Sequence, residues 1–123
     1  MNVEQKTTWQ QDKDHFIHPW TDFSTFKDEG SLVLTDGFGI TLTDSEGKQY
    51  MDGIGGLWCV NIGYGREEMA DAIAEQAKRI PYFSTFGHHT TPPAAALASK
   101  LAELAPGNLN HVFYGCGGSV AND

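Results

Sequence analysis

At 123 residues, with 40% hydrophobic side chains and 16 acidic against 8 basic ones for a net charge of −8, the chain has the composition of one globular domain with a modest core. The acidic charges are dispersed rather than blocked, which disfavours nucleic acid or an anionic membrane as the main partner, since either needs a basic patch. Cys59 and Cys116 lie far apart without CxxC spacing, so free thiols are expected rather than a zinc site or a disulfide framework, and the polar start and lack of a spanning apolar run make a cytoplasmic protein the expectation.

Residues up to about Lys13 show no hydrophobic periodicity and read as a loosely attached arm. The aromatic-rich segment Asp14–Phe23 follows, kept from regular helix by Pro19. Trp20 there is either a pocket wall or a core anchor, and His15 and His18, three apart, have no third ligand nearby for a metal. From Ser31 to Asp52 the signals are those of a small antiparallel meander. Strands are expected over Leu32–Leu34, Ile40–Thr43 and Gln49–Met51, with turns at Asp36-Gly37 and Asp44–Gly47.

The stretch Gly53–Gly65 holds five glycines around one short apolar run. Such a loop takes unusual backbone angles and either presents Leu57, Trp58 and Cys59 to a cavity or simply connects two elements over a buried Trp58. No Gly-Lys-Ser or Gly-Lys-Thr follows, so it is not a nucleotide P-loop. Arg66–Ile80 reads as a helix, with Glu67 and Glu68 in its first turn, Lys78 and Arg79 in its last, and Met69, Ile73, Ala77 and Ile80 as the buried stripe.

Pro81–His89 is a second aromatic loop whose adjacent His88 and His89 are poorly placed to share a metal. Thr91-Pro92 marks a helix start, with Leu97, Leu101 and Leu104 as the stripe and Pro106-Gly107 as the stop. Val112-Phe113-Tyr114 then reads as a buried strand running into Gly115-Cys116-Gly117-Gly118-Ser119 and a helix start. That order suits an α/β layered domain with an anion site at Gly117, Gly118 and Ser119, the alternative being an ordinary strand-to-helix turn.

Several of these strings resemble the class III aminotransferases, and among them the ω-amino-acid:pyruvate branch. They are His18-Pro19-Trp20-Thr21-Asp22, Asp44-Ser45-Glu46-Gly47, Asp52-Gly53, Gly56-Leu57-Trp58-Cys59-Val60-Asn61 with Gly63-Tyr64-Gly65-Arg66, and Val112-Phe113-Tyr114. The resemblance implies an α/β chain that forms the N-terminal part of a fold-type I transferase dependent on pyridoxal 5'-phosphate. Residues 1–64 would be an arm and meander contributing to the small domain, and residues 65–123 the start of the large cofactor-binding domain. It also implies that Gly117, Gly118 and Ser119 hold the cofactor phosphate, that Trp20, Leu57, Trp58 and Phe86 line the substrate pocket, and that the site is shared across a homodimer. The substrates would be an amine or ω-amino acid and a keto acid such as pyruvate.

Two departures stand out. Where many relatives have Ser-Gly-Ser-Glu-Ala, this chain has Gly117-Gly118-Ser119-Val120-Ala121, one hydroxyl and one carboxylate fewer beside the phosphate. None of Lys6, Lys13, Lys27, Lys48, Lys78 and Lys100 stands in a context matching the family's Schiff-base lysine, so the expectation is an inactive N-terminal fragment with no catalytic residue of its own. A non-catalytic module for a phosphorylated ligand, or a truncated product without function, are the other readings.

Overall fold

The computed structural model describes residues 3–123, with side chains from Thr7 onward. The chain divides into two compact units, one ending at Asp71 and the other beginning at Ala72.

The first unit opens with a helix, α1 (Val3–His15), where the sequence suggested an irregular arm. Hydrophobic periodicity could not reveal it, because the described side chains are polar on nearly every side. Local pairs supply its support instead. Gln10 Nε2 donates to Asp14 Oδ2 at 2.8 Å, Lys13 Nζ lies 4.8 Å from the Trp9 ring centroid, and Lys13 and His15 match the negative end of the helix.

The aromatic segment after α1 docks on a short second helix, α2 (Phe23–Glu29), which the pattern reading passed over. Asp22 caps it, accepting from Ser24 N at 2.8 Å, and Gly30 closes it at φ +66°, with the Trp9 indole filling the space a Cβ there would need. His18 joins the helices. Its ring lies between those of Phe16 and Phe26, tilted to both, with centroids 4.7 and 5.0 Å away, and its Nε2 lies 3.0 and 3.1 Å from the two Asp12 carboxylate oxygens.

The expected meander is present as one antiparallel sheet in the order β1 (Leu34–Phe38), β2 (Thr41–Asp44), β3 (Gln49–Met51). Its first turn is displaced from the sequence expectation. Asp36 and Gly37 lie inside β1, paired with Thr43 and Leu42, and the reversal falls at Gly39-Ile40, between the paired Phe38 and Thr41. Gly39 takes φ +58°, the glycine-first pattern of a two-residue hairpin loop. Gly37 is needed for a different reason, because a Cβ there would sit 2.9 Å from Cγ of Tyr64.

The second turn falls where expected and is tied by Asp44. Its Oδ1 accepts from Glu46 N and Lys48 N at 2.8 and 2.9 Å, and its Oδ2 accepts from the Tyr50 hydroxyl at 2.8 Å. Asp44 is the one buried polar residue among those described. These donors, with Lys48 nearby, hold its carboxyl below the usual range against the opposing effect of burial.

After a four-residue turn, α3 (Gly55–Trp58), helix α4 (Glu67–Arg79) spans the boundary at Asp71 and Ala72 and has the acidic first turn and basic last turn that the sequence predicts. In the second unit, α5 (Pro92–Leu104) begins at Thr91 and Pro92 as expected, although the Thr91 side chain makes no capping bond. The apolar stripes of both helices are present in sequence but not buried: Met69, Ile73, Ile80, Leu97, Leu101 and Leu104 are all exposed.

Val112-Phe113-Tyr114 is not a buried strand. It runs without a ladder partner among the described residues, and Phe113 is 96% exposed. Apolar runs of this kind become strands only beside another strand. The segment is held instead by the Tyr114 hydroxyl, which donates to Ala94 O at 2.6 Å. It leads into the last helix, α6 (Gly118–Asn122).

The close approach at Gly37 gives a direct test. Gly37→Ala should destabilise the protein by about 1–3 kcal/mol through overpacking against Tyr64, read as a lower denaturant midpoint. Gly53→Ala, with open space around the new methyl, should leave the midpoint nearly unchanged.

Candidate functional site

The glycine-rich stretch after β3 folds into a four-residue turn, α3 (Gly55–Trp58), that winds left-handed. Gly55, Gly56, Leu57 and Trp58 take φ of 55°, 58°, 61° and 66° in succession. The turn closes through Trp58 N to Ile54 O at 2.8 Å and Cys59 N to Gly55 O at 2.9 Å. Glycines enter this region freely, whereas each ordinary L-residue costs about 1–2 kcal/mol there, so Leu57 and Trp58 together hold roughly 2–4 kcal/mol of strain. Strain of this kind persists only where the surroundings over-determine it, and such places cluster at functional sites.

Asp52 and Tyr64 supply the over-determination. Asp52 Oδ1 accepts from Ile54 N at 3.0 Å, and Oδ2 accepts from Gly56 N at 2.7 Å and from the Tyr64 hydroxyl at 2.6 Å. Both residues are tied to the sheet: Asp52 N donates to Ile40 O at 2.8 Å, while Tyr64 and Gly39 exchange backbone bonds of 2.8 and 3.0 Å. The Tyr64 hydroxyl is the largest cause holding the Asp52 carboxyl below its ordinary range, followed by the Ile54 amide. The same bond, together with desolvation, pushes the Tyr64 phenol up.

A cavity of about 390 Å³ opens beside the turn, with Trp58, Ile54, Ile40 and Tyr64 among its walls. Leu57 and Trp58 are exposed at 59% and 76%. Trp20, the remaining pocket candidate of this unit, stands fully exposed at φ +60°.

In the second unit, a cavity of about 940 Å³ lies among the loop 82–90, the start of α5 and the segment 112–116. Phe86 lines it, together with Tyr114, Gly115 and Cys116, so the structure brings this pocket candidate beside the backbone that leads into the glycine loop. The loop around Phe86 is shaped by Ser84 Oγ, which accepts from Phe86 N at 3.1 Å, and by the Phe83 ring edge-on to His89 at 5.3 Å.

Gly117 is extended and precedes α6, and Gly118 and Ser119 form its first turn. No side chain caps this helix, no acidic residue stands in its first turn, and a Cβ built at Gly117 or Gly118 would meet nothing within 4 Å. These features fit a phosphate group, which needs free N–H donors, a hydroxyl and unobstructed backbone. Among the described residues no cluster of His, Cys, Asp or Glu could hold a metal ion, and both cysteines are free and exposed.

The sequence gives Leu57 and Trp58 a place at the pocket, whereas Asp52 and Tyr64, present in the strings that carry the resemblance, had no role until their bonds to the turn were seen. The usable signal was the side-chain-to-backbone habit of aspartate ahead of a glycine run.

Comparison with known proteins places these features in context. Residues 24–123 match the family described as Aminotransferase class-III. A putrescine–pyruvate aminotransferase of Pseudomonas aeruginosa is 40% identical over 116 residues, covering 94% of this chain and 25% of that protein. Among solved structures, an (S)-enantioselective omega-transaminase from Thermomicrobium roseum superposes with a TM-score of 0.84 at 44% identity, covering 90% of this chain and 24% of that one. An omega transaminase from Pseudomonas jessenii in complex with PMP gives 0.88 at 32% identity, covering 93% and 25%. The chain therefore spans about a quarter of the length of the curated relatives it matches.

The Asp52–Tyr64 bond sets a pH window for the turn. The depressed Asp52 pKa adds stability above the ordinary carboxylate value of about 4, lost as pH falls through the folded value, and the raised Tyr64 pKa adds stability below about 10, lost as pH rises through the folded value. The indole N–H resonance of Trp58 should stay fixed across neutral pH and move only toward those two limits. A transition centred between them would show that another group governs the turn.

Proposed function

This chain belongs to the class III aminotransferases, a family dependent on pyridoxal phosphate, and we propose that it contributes the phosphate cradle and part of the substrate-pocket wall of a transaminase. In this reading the amino group passes from an amine or ω-amino acid to a keto acid such as pyruvate. The observation that carries it is the uncapped, unobstructed glycine loop at Gly117–Ser119, which follows directly on the Tyr114–Cys116 backbone lining the Phe86 cavity. The choice of acceptor is supported by the Pseudomonas aeruginosa relative, which is a putrescine–pyruvate aminotransferase.

When bound, the cofactor supplies the electron sink that loosens the bonds at the substrate's amine-bearing carbon. Backbone N–H groups of Gly118 and Ser119, with the Ser119 hydroxyl, hold its phosphate. Val120 places no carboxylate beside that phosphate, and Gly117 offers it backbone but no hydroxyl. Trp20, Leu57, Trp58 and Phe86 supply apolar surface for the carbon skeleton of the amine donor and keep water from it. Residues 1–64 serve as the arm and meander of the small domain, and residues 65–123 as the beginning of the large one. The enzyme works as a cytoplasmic homodimer with the site shared between subunits.

None of the six lysines among these 123 residues serves as the Schiff-base lysine. These residues alone should therefore form no stoichiometric, dialysis-resistant visible complex with pyridoxal phosphate and no alanine from pyruvate. Appearance of either would overturn that assignment. In the loaded enzyme, Ser119→Ala should weaken cofactor retention about tenfold or more, the scale of one hydrogen bond to a charged group, as measured by equilibrium dialysis. Unchanged retention would remove Ser119 from the cradle.

A further inference from the structure

The left-handed turn Gly55–Trp58 has no stabilising side chain of its own. Its two strained residues are the ones that face outward, Leu57 and Trp58, and its two glycines tolerate the winding without help. What pins it is external. Asp52 stands before the turn and Tyr64 after it, and their side chains meet at 2.6 Å while the same carboxylate oxygen takes the Gly56 amide at 2.7 Å.

Tyr64 is a rigid post. Its backbone is bridged to Gly39, its ring packs where Gly37 lacks a Cβ, and its hydroxyl lies 3.0 Å from where a Cβ on Gly56 would stand. Gly56 is further closed in by Val60, whose Cγ2 would be 2.8 Å from such a Cβ. The direction of the Trp58 indole is thus set by a path of three contacts: the β1–β2 hairpin to Tyr64, Tyr64 to Asp52, and Asp52 to the turn.

We infer that Asp52 and Tyr64 are positioning residues that hold the left-handed Gly55–Trp58 turn, and through it fix how large an amine the Leu57–Trp58 wall admits. The substrate half of this statement rests on the transaminase reading; the structural half does not. Neither residue needs to touch substrate. Removing the Tyr64 hydroxyl leaves its ring packed on Gly37 but takes from Asp52 Oδ2 the bond that anchors it to the sheet, leaving only the Gly56 amide on that oxygen, so the turn relaxes and Trp58 samples more than one direction.

Two readouts on the cofactor-loaded enzyme test this with Tyr64→Phe, and with Asp52→Asn as the second variant should the first not fold. The first readout is the Trp58 indole N–H resonance. It should be single in the parent and broadened or doubled in the variant, and an unchanged resonance overturns the positioning role.

The second readout is the ratio of kcat/KM for a bulky aryl amine to that for a short ω-amino acid, with pyruvate as acceptor. The ratio should change about tenfold, the scale on which a hydrophobic pocket discriminates by fit, carried mainly by KM, while kcat for the short donor stays within a few-fold. A parallel fall for both donors means that the clamp is structural only and overturns the specificity claim. If the parent enzyme transaminates no amine at all, the functional reading fails, and the indole resonance still decides whether Asp52 and Tyr64 hold the turn.

Discussion

The Asp52 carboxylate is the constraint on which the first unit's site depends. One side chain accepts from two amides around the glycine run and from a phenol eight residues beyond Gly56, at 2.6 to 3.0 Å. Those bonds offset the cost of placing Leu57 and Trp58 in left-handed backbone. The meander is its foundation, since Asp52 directly follows β3 and bonds to Ile40, and Tyr64 bridges to the β1–β2 loop. Asp44 plays a comparable part at the opposite end of the strands, tying its own turn to Tyr50.

The apolar surfaces follow a different logic. Among the described residues there is no buried hydrophobic side chain, yet α4 and α5 each carry an apolar stripe at helical spacing. A stripe of that spacing is the mark of a helix that packs on something. Relatives of the chain are about four times as long, and the residues described here match about a quarter of each.

Legibility in the sequence tracked the strength of local rules. Helices α4 and α5 were readable because periodicity, end charges and prolines agreed, and the second hairpin turn because Asp44–Gly47 carries its own hydrogen-bonding chemistry. Helix α1 was hidden by its polarity, and α2 by its shortness, although Asp22 and Gly30 mark its two ends. The first hairpin misled because Asp36-Gly37 has turn composition while Gly37 is there to admit Tyr64, a tertiary demand that no local pattern encodes. Val112–Tyr114 misled for the same kind of reason: a strand is a relation between two segments, and no second segment pairs with this one among the described residues. At the site, the strings around Trp58 carried the family, whereas the clamp that orients Trp58 became visible only through geometry.

The central claim is that the glycine loop at Gly117–Ser119 receives the phosphate of the cofactor. Its most direct measurement is the response of backbone amide resonances in the protein to pyridoxal 5'-phosphate and, separately, to pyridoxal lacking the phosphate. Shifts at Gly118 and Ser119 that require the phosphate are the expected result. Equal shifts with both compounds, or phosphate-dependent shifts confined to other residues, would contradict it.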